Sequence, residues 1–248
     1  QKMTELLEIK QKDKIILNDQ LLLKYGLKLT LQKVEDANDG EVVNSCLILK
    51  KQEYKTTKFQ NRQDFVAVLA LKLRKVSAYL FCKAENLKTV VMLEAEEIED
   101  GLIYDKKHIG AFTETVAEQC YFPLLRRVGA FAFTNCRIKS LDEQNFPVLR
   151  DVGDGAFMKC AVKKLNLSFL EKIDFSGFLN CPITSVNLPS LISINKKGFS
   201  GCDKLRFFSA EKLEQLGENS FSDCPLLSNI NCDLEQERFT CNGCGGCR

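Results

Sequence analysis

The segment ITSVNLPSLISI, residues 183–194, carries the hydrophobic pattern that runs through most of the chain. Apolar side chains stand eleven, eight, six and three places before Ile194, at Ile183, Val186, Leu188 and Leu191. Across residues 185–188 apolar and polar positions alternate. This predicts a strand with Val186 and Leu188 turned inward and Ser185 and Asn187 turned outward. Phe199 follows the Ile194 anchor by five places and Cys202 by eight. The same frame fits the anchors Tyr54, Val76, Ile98, Val128, Val152, Ile173 and Leu216. Successive anchors lie 22, 22, 30, 24, 21, 21 and 22 residues apart, and the long interval after Ile98 predicts an insertion within YDKKHIGAFTE.

Five copies repeat the aromatic and the thiol: Phe133 with Cys136, Phe157 with Cys160, Phe178 with Cys181, Phe199 with Cys202 and Phe221 with Cys224. Arg62, Ala84 and Lys106 hold the cysteine position in earlier copies, so the thiol is replaceable and a packing role is expected of it. A period of this length with one short strand per copy predicts an α/β-type repeat solenoid. The expected form is a curved leucine-rich-repeat horseshoe. A parallel β-sheet would lie on its concave face, with short helical, 3-10 or irregular segments on the convex face. The expected organisation is a cap over 1–40, a solenoid of about eight repeats over 41–232 and a cysteine-rich tail over 233–248. In the cap, MTELLEIKQKD reads as a short helix and YGLKLTLQKV as a strand.

The pattern I-x(4)-F-x(2)-C followed by L-x(2)-V-x-L-P-x-L-x(2)-I is sharpest in CPITSVNLPSLISINKKGFSGC. It resembles the BspA-like, or Treponema pallidum-type, leucine-rich repeats over about residues 43–232. The resemblance implies a non-enzymatic solenoid that binds protein, as in adhesion. Because the family occurs in surface proteins of oral and gut bacteria and is abundant in parasitic protists, it favours the cell surface or secretion over the cytoplasm. An intracellular scaffold docked in a larger assembly is the rival reading, and a metal-binding or thiol-redox protein using the C-terminal cysteines is a remote one.

Charge narrows the partners. The chain has 35 Lys+Arg against 33 Asp+Glu, a net +2, which lacks the basic footprint of a nucleic-acid binder. No apolar run is long enough for a membrane span. His108 is the only histidine and lies in the expected insertion, with no nucleophile motif beside it, and no phosphate-binding glycine loop occurs. An enzyme is therefore not expected. Cys232, Cys241, Cys244 and Cys247 leave three alternatives open: a structural zinc site, two disulfides that staple the end, or a loose tail.

Outward positions on the strands are the candidate partner surface. Counted back from the anchors, Leu47, Leu49, Leu69, Leu71, Val91, Leu93 and Tyr121 would make an apolar concave patch for a protein partner or a second copy. The competing expectation is that LLLKYGLKL, residues 21–29, folds over these side chains.

Overall fold

The computed structural model describes residues 17–54, 57 and 59–234. Each copy of the pattern forms one coil of a β-solenoid, and equivalent residues of successive coils pair in parallel ladders. One ladder is built from the longer strands. Its first part holds β1 (Val42–Val43), β2 (Cys46–Leu49), β3 (Ala67–Ala70), β5 (Thr89–Met92) and β9 (Gln119–Tyr121), with β1 antiparallel to β2. Its second part holds β11 (Ser140–Asp142), β13 (Lys164–Asn166), β15 (Ser185–Asn187), β17 (Phe207–Ser209) and β19 (Asn229–Asn231). The other ladder is made of two-residue strands ending at the anchors. These are β4 (Lys75–Val76), β6 (Glu97–Ile98), β10 (Arg127–Val128), β12 (Asp151–Val152), β14 (Lys172–Ile173), β16 (Ser193–Ile194) and β18 (Gln215–Leu216). Turns, not helices, connect the ladders in the coils described.

The phenylalanines fill the interior. Phe59, Phe81, Phe112, Phe133, Phe157, Phe178, Phe199 and Phe221 stack face to face through the solenoid, with ring centroids 4.8–5.9 Å apart. All eight are buried. Each contributes about 1.5–3 kcal/mol by leaving water, and each aromatic contact adds about 0.5–1.5 kcal/mol. The turn carrying the ring also joins the next coil through its backbone: the Phe157 amide donates to the Gly177 carbonyl at 2.9 Å and the Phe178 amide to the Gly198 carbonyl at 2.9 Å. That turn is tight. The residues two places before and two after the ring both have positive φ, as at Ser176 (56°) and Asn180 (58°), or Lys197 (61°) and Gly201 (72°). At Gly201 a Cβ would lie 1.9 Å from Asn180 Oδ1, so a larger residue would also have to displace that side chain.

The cysteines have a second role that the replaceable thiol in the sequence did not reveal. Each Sγ donates to the backbone carbonyl of the phenylalanine one coil earlier. Cys136 reaches Phe112 at 3.0 Å, Cys160 Phe133 at 2.9 Å, Cys181 Phe157 at 3.0 Å, Cys202 Phe178 at 3.3 Å and Cys224 Phe199 at 3.2 Å. The thiol is small enough to be buried and adds a weak second donor to a carbonyl that already accepts a backbone amide of its own turn, as the Phe133 carbonyl accepts from the Cys136 amide at 3.0 Å.

The insertion after Ile98 is a hairpin of β7 (Leu102–Tyr104) and β8 (Lys107–Ile109). It displaces the frame, so the ring of that coil is Phe112 and the residue in the cysteine position is Thr115, not Lys106. The Thr115 hydroxyl lies 3.4 Å from Cys136 Sγ. Lys106 instead sits in the hairpin turn with φ 60°. His108 lies on β8 with its ring 4.6 Å from that of Phe131. Burial, followed by Lys159, lowers its pKa.

Two outcomes test this interior. Phe178→Ala should lose about 3–5 kcal/mol in a urea titration, as deletion of a large buried ring does. Burial pushes the Cys136 and Cys181 thiols up to about 12, so thiolate is scarce at pH 8. In native protein treated with iodoacetamide and read by mass spectrometry, Cys181 should stay unmodified while half-buried Cys232 reacts. Equal labelling of the two would contradict the packing.

Candidate functional site

The outward side chains of the long strands form rows held in register by the ladder. One row runs Cys46, Ala67, Thr89, Gln119, and resumes as Ser140, Lys164, Ser185, Phe207, Asn229. The next runs Ile48, Leu69, Val91, Tyr121, and resumes as Asp142, Asn166, Asn187, Ser209, Asn231. The face is apolar up to β9 and polar from β11.

The apolar half corrects two expectations. Leu47 and Leu49 do not point outward. Leu47 pairs with Val68 and Leu49 with Ala70, and both belong to the solenoid interior. The outward residues of β2 are Cys46 and Ile48. The first coil has one residue fewer between strand and anchor than the second, so counting back from Tyr54 is one place out. A one-residue slip exchanges the faces of a strand.

The second correction concerns access. Leu69, Val91 and Leu93 are 0%, 1% and 6% exposed, and Leu71 and Tyr121 are half-buried. The N-terminal segment covers them, as the competing expectation had it, and its own Leu22, Tyr25, Leu27, Leu29 and Val34 complete a second apolar core. The Tyr25 ring stacks on Tyr121 at 4.9 Å. Helix α1 (Asp19–Lys24) is opened by Asn18, whose Oδ1 accepts from the Leu21 amide at 2.8 Å. It is closed by Gly26 at φ 66°, with the Gly26 amide on the Leu23 carbonyl and the Leu27 amide on the Leu22 carbonyl. Helix α2 (Leu31–Asp36) replaces the later half of the expected YGLKLTLQKV strand: Thr30 caps it, and the Asp19 carboxylate accepts from the Leu31 amide at 2.7 Å. The strands themselves held the signal for a cover. CLIL, AVLA and TVVM lack the alternation of a half-exposed strand, and β2 and β3 are buried on both faces.

Asp39 fastens the cap to the first coil. Its carboxylate accepts from the Tyr54 hydroxyl and from the Lys50 amide at 2.8 Å, and pairs with Lys51 Nζ at 3.1 Å. Burial works against ionisation, but these bonds prevail and hold the carboxyl below its ordinary range.

The polar half is open. Lys164, Asn166, Asn187, Asn229 and Asn231 are exposed, and Phe207 is 41% exposed. The amides are organised: Asn187 Nδ2 donates to Asn166 Oδ1 at 2.9 Å and Asn231 Nδ2 to Ser209 Oγ at 3.1 Å. The coil that contributes Ser140 and Asp142 went unread in the sequence, because three extra residues separate its strand from Val152. Cations gather where these strands start. Lys139 pairs with Glu118 at 3.6 Å, whereas Arg137, Lys163, Lys164 and Arg206 are exposed with no ion pair among the described residues.

Among the described residues no group of three His, Cys, Asp or Glu could hold a metal, and no helix is long and apolar enough to cross a membrane. Cys232 is half-buried with a free thiol. Cys241, Cys244 and Cys247 lie outside the described residues, and with them the zinc and disulfide alternatives.

A family described as BspA type leucine rich repeat region matches residues 109–175 and 126–242, in six copies. A crystal structure of a T. pallidum leucine rich repeat protein is similar at 17% identity and a TM-score of 0.47, over 74% of this chain and 78% of that one. A leucine-rich repeat protein from Bacteroides ovatus is similar at 15% identity and a TM-score of 0.23, again over 74% and 78%. No curated protein matches the chain.

Two outcomes test the cap. Leu69→Asp places a charge in the second core. Hydrogen exchange should then show lost protection over residues 19–36 with the coils beyond β9 unchanged. Equal loss throughout would place Leu69 in the solenoid interior instead. For Asp39 the folded pKa is depressed, so its contribution is full above the unfolded carboxylate value and is lost as pH falls through the folded one. Asp39→Asn should therefore lower the Tm at pH 7 and change it little at pH 2–3.

Proposed function

Taking as premise that the chain belongs to the BspA-type leucine-rich-repeat family, we propose that it is a non-enzymatic binding module. It engages a protein partner through the open half of the long-strand sheet, β11 to β19, in an adhesion or surface-contact role. The observation that carries this reading is the division of the face. Its apolar half is already occupied by the chain's own cap, while its polar half presents side chains in fixed register with nothing over them among the described residues. A backbone already ordered by the ladder loses little entropy on binding, which favours a rigid sheet as a docking platform. Leu69, Leu71, Val91, Leu93 and Tyr121 then serve as the seat of the cap, and the partner contacts move to Lys164, Asn166, Ser185, Asn187 and Phe207.

A photo-crosslinking amino acid at position 187, and separately at exposed Ile192 beyond the strand, tests the assignment in extract from the native source. Position 187 should give one discrete protein adduct that position 192 does not. Purified, that protein should bind an Asn187→Arg variant at least tenfold more weakly. The same adducts from both positions, or none, would contradict the reading.

A further inference from the structure

We infer that the open half of the sheet takes an acidic, extended segment of its partner, lying across the strands along the edge where they start. This deepens the proposed use of that face and rests on it. Lys163 and Lys164 stand at the start of β13 and Arg206 at the start of β17, with Arg137 three residues before β11, all exposed and without ion pairs among the described residues. Several cations on the two-residue ladder meet carboxylates across the coils. Arg127 lies 3.2 Å from Glu97 and 2.6 Å from Asp100, Lys75 lies 3.6 Å from Glu97, and Arg150 pairs with Glu171. On the strand-start edge of the open half, four cations have no such match among the described residues.

Geometry specifies the shape of the match. The backbone fixes the order along the edge: the Lys163 amide donates to the Lys139 carbonyl, Thr184 to Lys163 and Arg206 to Thr184. Adjacent strands lie about 4.8 Å apart, so Lys163 and Arg206, two coils apart, are separated by roughly 10 Å. An extended peptide in the polyproline II conformation advances about 3.1 Å per residue with three residues per turn, so carboxylates three residues apart lie on one side of it about 9 Å apart. Beside the cations lie the Asn166 and Asn187 amides, which can donate to and accept from peptide groups, and the exposed ring of Phe207, which can pack an apolar side chain. A nucleic acid fits less well, because four free cations beside Asp142 and Asp203 on a chain of net +2 do not supply a phosphate track.

The test uses the full chain and a fluorescent peptide of Glu-Ser-Gly repeats about a dozen residues long, read by anisotropy. Saturable binding at low salt should weaken at physiological salt. It should fall about tenfold or more in a Lys163→Glu, Arg206→Glu variant, and stay unchanged in Lys197→Glu, which alters charge at a distant turn. Absent saturable binding, or equal loss in both variants, overturns the inference. So does a heparin oligosaccharide of matched charge that binds at least as tightly and is lost in the same variant, since the edge would then be a general polyanion surface. A partner crosslinked from position 187 whose binding ignores the charge reversal leaves the face as the site and removes the acidic partner.

Discussion

No coil of this chain can bury its own apolar face, and the structure follows from that constraint. A coil of about twenty-two residues has one interior side and two open ends. Its phenylalanine is covered only by the rings of its neighbours, Phe157 and Phe199 over Phe178, for example. The thiol beside it has its acceptor in the coil before, and the turn amides find carbonyls in the coil after. Side-chain burial, hydrogen bonding and backbone pairing therefore all run along the solenoid axis, and each coil is stable only as a member of a stack.

A stack has ends, and the first end explains the division of the sheet. The opening coils carry apolar residues on both faces of their strands, which a free solenoid would expose to water. The N-terminal helices remove that surface by covering the outer face itself, and β1 closes the edge of β2 by antiparallel pairing. Asp39, Tyr54 and Lys51 tie the two cores together at the junction. What remains for a partner is the half whose rows are Asn, Ser and Lys, where the strands recover the buried-exposed alternation seen in Lys164–Asn166.

The interior was legible in the sequence because it is periodic. Phe133 to Phe221 and Cys136 to Cys224 stand at near-fixed intervals, and the anchors Val76 to Leu216 all fall at the ends of two-residue strands. Reading failed wherever the period failed. One missing residue before Tyr54 turned Leu47 and Leu49 to the wrong face, three extra residues hid the strand at Ser140, and the hairpin moved the cysteine position from Lys106 to Thr115. The thiol-to-carbonyl bonds were not readable, because a donor and a small apolar side chain leave the same mark in a sequence. The outward apolar rows were visible, but whether they meet a partner or the chain's own cap depends on where a non-repeating segment folds.

The division of the sheet face is the claim on which the functional reading stands, and hydroxyl-radical footprinting of the intact chain measures it most directly. Side-chain oxidation read by mass spectrometry compares Leu69, Leu71, Leu93 and Tyr121 with Phe207 on one face of one sheet. The account predicts rapid oxidation at Phe207 and strong protection at Leu69 and Leu93, with Leu71 and Tyr121 between them. Oxidation of Leu69 and Leu93 as fast as that of Phe207 would show the apolar half open and would contradict it.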